Sequence, residues 1–78
     1  MSRSEPKRKP KLIDERRAFG LRVRQERERQ GFSQESFALH AEMDRTYIGG
    51  VERGERNISL DGIHTIAKAL GVSVRDLF

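Results

Sequence analysis

The 78-residue chain has no cysteine, which excludes disulfides and thiolate metal ligation together. Its two histidines, His40 and His64, stand apart with no HxxxH or HExxH spacing, so no metal site is expected. Apolar runs are too short for any segment to cross a membrane. The amino terminus is basic but has no apolar h-region, so it does not read as a secretory signal, and a cytosolic, cytoplasmic protein is the default. The chain has no serine elbow, no glycine-rich phosphate loop and no paired carboxylates beside a cleft. Neither catalysis nor a cofactor is therefore expected. A core this small leaves no room for a useful pocket, so no small-molecule ligand is expected either. Strand-like alternation and internal repeats are also missing, which leaves an all-α single domain.

Charge is plentiful but unevenly placed. Residues 1–17 hold seven Lys and Arg against three acidic residues, the same excess of +4 that the whole chain carries. The remainder is balanced. We read residues 1–13 as a basic flexible arm and residues 14–78 as the folded domain. Such an arm either tracks nucleic-acid phosphates or serves as a solubilising terminus.

The centre of the chain is QESFALHAEMDRTYIGGVE, Gln34 to Glu52. Phe37, Ala38 and Ala41 share one face of a first short helix, and Ile48 and Val51 face inward from a second, spanning about 45–53. Glu42-Met43-Asp44 leaves room only for a tight turn, and Asp44 is a natural N-cap for the second helix. Two helices joined this closely form a helix-turn-helix, whose second helix can lie in a DNA major groove. Its exposed start presents Arg45, Thr46 and Tyr47, side chains suited to base edges and phosphates.

Around this centre, a first helix should begin between Lys11 and Asp14 and end near Gln30, with Gly31 as its left-handed cap. Leu12, Phe19 and Val23 form its stripe, but Arg27 falls on that stripe too. A charge on a buried face needs a partner, and Glu52 is the candidate; Arg27–Glu52 is expected as a structural ion pair. Ser33 should cap the second helix, and Ser59 a fourth over Leu60–Leu70 closed by Gly71. Ser73-Val74-Arg75-Asp76 has capping-box form and should open a fifth short helix through Leu77 and Phe78.

Phe19-Gly20, Val23-Arg24, Gly31-Phe32-Ser33-Gln34-Glu35, Ala38, Ile48, Glu52-Arg53-Gly54 and Ala67-Leu70-Gly71-Val72 together resemble the Cro/repressor (XRE-type) helix-turn-helix family. The resemblance implies a five-helix bundle of the lambda-repressor-like DNA-binding type over residues 18–78. It also implies a sequence-specific transcriptional regulator, bound as a homodimer to a pseudo-palindromic operator on double-stranded DNA. Asp44 to Ile48, Gly50 to Arg53 and Arg56-Asn57 look most similar to the controller proteins of restriction–modification systems, which implies autoregulation in that setting. The other class left open is an antitoxin or other protein-interaction module with secondary DNA binding.

Placed on matching positions, the resemblance gives Arg45, Thr46 and Arg56 to bases. Arg24, Ser33, Gln34, Tyr47, Arg53 and Asn57 go to the DNA backbone, with Tyr47 alternatively covering the core edge. It places the dimer contact around Leu60, Ile63, Leu77 and Phe78. Two departures stand out. Glu42 occupies a turn position where the family usually has Gly or Asn, and Gly49 replaces a frequent Ser. The adjacent Gly49-Gly50 pair costs about 1 kcal/mol per residue inside a helix relative to alanine, so smallness there must serve something.

Overall fold

The computed structural model describes residues 12–78, and the basic arm, expected over residues 1–13, falls almost wholly outside them. The described residues form four α-helices and no strand: α1, Leu12–Arg29; α2, Gln34–Ala41; α3, Arg45–Glu52; and α4, Leu60–Leu70. The expected fifth helix is a single 3-10 turn, Val74–Leu77. Its capping geometry forms, with Ser73 N–H donating to the Asp76 carboxylate at 3.0 Å.

Each helix starts and stops for local reasons. Asp14 and Glu15 open α1, and Arg27 and Arg29 close it, both favourable to the helix dipole. The Ser33 hydroxyl accepts from Ser36 N–H, Asp44 from Thr46 N–H, and Ser59 from Gly62 N–H, so α2, α3 and α4 each begin on a side-chain cap. All four helices end alike. The two amides after the helix bond back to carbonyls of its last turn, as when Gly71 N–H reaches Lys68 O and Val72 N–H reaches Ala67 O. This closure needs a left-handed residue, supplied by Gly31, Gly54 and Gly71 in three helices and by Glu42, φ 59°, in the fourth. The conflict seen in the sequence at Glu42 is thus resolved by strain, not by a different turn.

The core gathers Phe19 and Val23 of α1, Phe37, Ala38 and Ala41 of α2, Ile48 and Val51 of α3, Ile66, Ala67 and Leu70 of α4, and Leu77. Phe37, Ile48, Ile66, Leu77 and Val23 are wholly enclosed. Each such side chain contributes about 1.5–3 kcal/mol through burial. Phe32 and Met43 close the edges, half-buried. Helix α3 is held on one side by α2 and on the other by α1, which leaves its outer face free. The closest approach to α1 is at Gly20. A Cβ there would run into the carbonyl oxygen of Val51 and lie 2.6 Å from that of Glu52.

Candidate nucleic-acid interface

Burial of Ile48 and Val51 fixes how α3 is rolled. With 100° per residue, Arg45, Thr46, Gly49 and Arg53 then line the side away from the core. Arg45 and Thr46 are exposed, and Arg45 makes no ion pair among the described residues. Arg53 is exposed and bends to Glu55, Nε to Oε1 3.0 Å. Its guanidinium also lies over Gly49, where a Cβ would stand 3.1 Å from Arg53 Nη1 and 3.5 Å from Gln34 Oε1.

Below this face lies a polar network. Arg27 donates Nε to Glu52 Oε2 at 2.6 Å, Nη2 to Glu52 Oε1 at 3.0 Å, and Nη1 to the Phe32 carbonyl at 2.8 Å. The side chains of Arg27 and Glu52 are 8% and 3% exposed, so this two-pronged bond joins α1 to α3 out of water. The hydrogen bond to Glu52 pushes the Arg27 guanidinium above its ordinary range, against the opposing effect of burial. Gln34 joins from α2, donating Nε2 to Glu52 Oε1 at 3.0 Å. One carboxylate therefore ties three helices together directly beneath the exposed face.

The remaining expected contact residues divide into two groups. Ser33 is exposed at the start of α2, with its hydroxyl engaged by Ser36 N–H and its own N–H given to Ser36 Oγ at 2.9 Å. Arg24 is exposed on α1 and paired with Glu28 at 3.1 Å. Exposed ion pairs of this kind contribute about 0–1 kcal/mol, so the pairs of Arg24 and Arg53 are readily exchanged for phosphate. Asn57 is exposed in the loop after α3. Arg24, Arg27, Gln34, Glu52 and Arg53 line one polar depression.

Tyr47 is different. It is half-buried against the core, and its hydroxyl points toward α4, 3.3 Å from where a Cβ on Gly62 would stand. The guanidinium of Arg56 lies over its ring, 5.2 Å from the centroid. Tyr47 thus takes the core-edge place that the sequence left open, and carries an arginine on its face.

Leu77 is a correction. It is fully enclosed in the core and has no surface to offer a second chain. The 3-10 turn rolls it inward and leaves Phe78 outside, 71% exposed and stacked on Phe19 at 4.9 Å. Leu60 is 67% exposed, whereas Ile63 is half-buried. Phe19, Val51, Ile58, Ile63 and Phe78 line a mainly apolar groove at this end, together with Arg56 and Asn57.

Among the described residues no group of His, Cys, Asp and Glu could hold a metal ion, and no helix is long and apolar enough to cross a membrane. His40 stacks on Phe32 at 5.0 Å and bonds the Ala69 carbonyl at 3.0 Å, a structural use. The sequence hid three features: Gly20 as the α1–α3 contact, Gln34 as a partner of Glu52, and the place of Arg56. Only the costly Gly-Gly pair signalled the last.

Comparison with known proteins agrees with this geometry. Residues 23–77 match the family model described as helix-turn-helix. The control protein C.BamHI of Bacillus amyloliquefaciens is 52% identical over 60 residues, 76% of this chain and 74% of that protein. In structure, the restriction-modification controller protein C.AhdI from Aeromonas hydrophila superposes with a TM-score of 0.80 at 46% identity, over 83% of this chain and 98% of that one. The hypothetical transcription factor NHTF from Neisseria gives 0.79 at 38% identity, over 95% and 85%.

Proposed function

The chain belongs to the helix-turn-helix family of DNA-binding transcription regulators, and from that premise we propose that it binds a pseudo-palindromic operator as a two-fold homodimer. We read it further as an autoregulatory controller of a restriction–modification system. Support for this finer reading comes from the likeness to two proteins named as controllers, C.BamHI and C.AhdI. The observation that carries the DNA contact is the exposed Arg45, without an ion pair among the described residues, on the first turn of a helix clamped from below by Arg27, Glu52 and Gln34.

In this reading α3 enters the major groove by its amino-terminal end. Arg45 grips a guanine through O6 and N7, Thr46 meets the neighbouring base, and Arg56 reaches a third from the loop. Arg24 and Arg53 exchange their exposed carboxylates for phosphates on either side, with Ser33, Gln34 and Asn57 nearby. Because Gln34 already serves Glu52, its contribution to phosphate is through the backbone amide at the start of α2. Tyr47 acts by packing and not through its hydroxyl. The groove formed by Phe78, Ile63 and Ile58, with exposed Leu60 beside it, is the self-complementary patch of the dimer. Two-fold pairing there would set the recognition helices one DNA turn apart, about 34 Å.

The test is binding to DNA from upstream of the chain's own gene beside a scrambled duplex, across a salt series. A preference of about 10³ or more is expected, with Arg45→Ala losing about 1–3 kcal/mol of it. Equal binding that weakens equally with salt would reduce the activity to electrostatics. Absence of binding to either duplex would move the protein to the interaction-module class.

A further inference from the structure

We propose that Gly50 and Tyr47 form a cradle that orders Arg56 before DNA arrives, making Gly50 a positioning residue for sequence recognition. The inference rests on the reading of Arg56 as a base contact and explains how a loop residue could serve that role.

Arg56 lies beyond the end of α3, in an irregular stretch between α3 and α4. A loop arginine left to itself samples many rotamers, and ordering it on binding costs affinity. Here its stem is laid along the helix. A Cβ on Gly50 would stand 2.8 Å from Arg56 Cγ, 3.2 Å from Nε and 3.5 Å from Cδ. The guanidinium ends over the Tyr47 ring, 5.2 Å from its centroid. The side chain therefore runs from residue 50 back toward residue 47, against the direction of the chain. That holds its charge over Tyr47 on the first turn of α3, at the edge of the groove that Asn57 and Ile58 also line. The ring is itself fixed, because Tyr47 is half-buried and its hydroxyl abuts Gly62, where any larger residue would also meet Ile58. Gly62, Tyr47, Arg56 and Gly50 thus form one line of support. The ring face attracts the cation, and the planar guanidinium can stack while its N–H groups remain available at the edge.

The three nearest atoms to the missing side chain of Gly50 all belong to Arg56, and they belong to a flexible arm, not to backbone. Helix preference alone favours alanine at this position. The glycine is therefore maintained against helix stability, and what it accommodates is the arginine.

The experiment is a double-mutant cycle on the full chain, comparing wild type, Gly50→Ala, Arg56→Ala and the double variant. Thermal unfolding is read beside binding to the operator and to operators changed singly at each base pair. Gly50→Ala should unfold at the same temperature as wild type or higher. It should bind the operator more weakly, within the roughly 5- to 140-fold that loss of one bidentate base contact represents. Its lost discrimination should fall at the same base pair as that of Arg56→Ala. In the Arg56→Ala background, Gly50→Ala should have no further effect. If Arg56→Ala changes neither affinity nor discrimination, the base-contact reading of Arg56 is wrong. If Arg56→Ala weakens binding but Gly50→Ala does not, the cradle is wrong. Tighter binding by Gly50→Ala would show that the cradle parks the arginine away from DNA, which also overturns the proposal.

Discussion

Removing the Glu52 carboxylate should strongly destabilise this protein, although the residue is acidic, at a helix end and close to several exposed arginines. In Glu52→Ala the Arg27 guanidinium keeps the Phe32 carbonyl and a 4.0 Å approach to the half-exposed Glu28 carboxylate, and the Gln34 amide loses its 3.0 Å acceptor. Arg27 cannot swing into solvent cheaply, since its side chain is 8% exposed and its stem sits on the core stripe of α1. A buried ion left unpaired costs about 3–5 kcal/mol. A 78-residue chain at the usual 0.05–0.15 kcal/mol per residue has a total stability of roughly 4–12 kcal/mol. The variant should therefore lose between about a quarter and all of its stability, read by urea unfolding with far-ultraviolet circular dichroism. The paired replacement Arg27→Met with Glu52→Met removes both charges and should stand at least about 1 kcal/mol above Glu52→Ala, because no lone ion remains. A loss below about 1 kcal/mol in Glu52→Ala, the range of an exposed pair, would refute the clamp.

The backbone and the caps give three further outcomes. Glu42→Gly should raise stability by about 0.5–1 kcal/mol by relieving a left-handed non-glycine residue, which moves the thermal midpoint up by roughly 2–8 °C. An unchanged or lower midpoint would show that the turn is unstrained. Gly20→Ala should cost about 1–3 kcal/mol or more, since its Cβ meets the backbone of Val51 and Glu52 and backbone cannot step aside; wild-type urea unfolding would refute this. The Asp76 carboxyl is held below its ordinary 3.8, first by the Ser73 backbone N–H, so its stabilising effect is present above that value and lost as pH falls through the lower folded-state value. Asp76→Asn should accordingly melt below wild type at neutral pH and converge with it in acid, and a gap constant with pH would contradict the assignment.

How much of the fold and the site is legible in the sequence depends on the range of the interaction. The starts of α2, α3 and α4 are legible because Ser33, Asp44 and Ser59 act on amides two or three residues away. Arg27 and Glu52, 25 residues apart, are legible for another reason. A charge on an apolar stripe raises a question with few possible answers, and a lone inward carboxylate is one of them. Leu77 departs from expectation because its exposure depends on whether the last residues make an α-helix or a 3-10 turn, a rotation that apolar spacing over so few positions cannot decide. Gly20 is silent because a close approach between two backbones leaves no pattern in either helix alone.

The Gly-Gly pair shows how local cost and site geometry are linked. Considered along α3 alone, Gly49 and Gly50 only weaken a helix of eight residues. Across the interface they do separate things: Arg53 lies over Gly49 and Arg56 over Gly50. Two arginines from the segment after α3 are thereby folded back onto the helix that precedes them. A helix this short offers few side chains to a groove, and Ile48 and Val51 are already committed to the core. Laying the following arginines over Gly49 and Gly50 adds cationic side chains to the helix without lengthening it. Beneath the two glycines Glu52 joins three helices through hydrogen bonds shielded from water, which fixes the position of this short helix. Support below and smallness above therefore belong to one arrangement, and weakening either should reach the exposed side chains of α3 through the other.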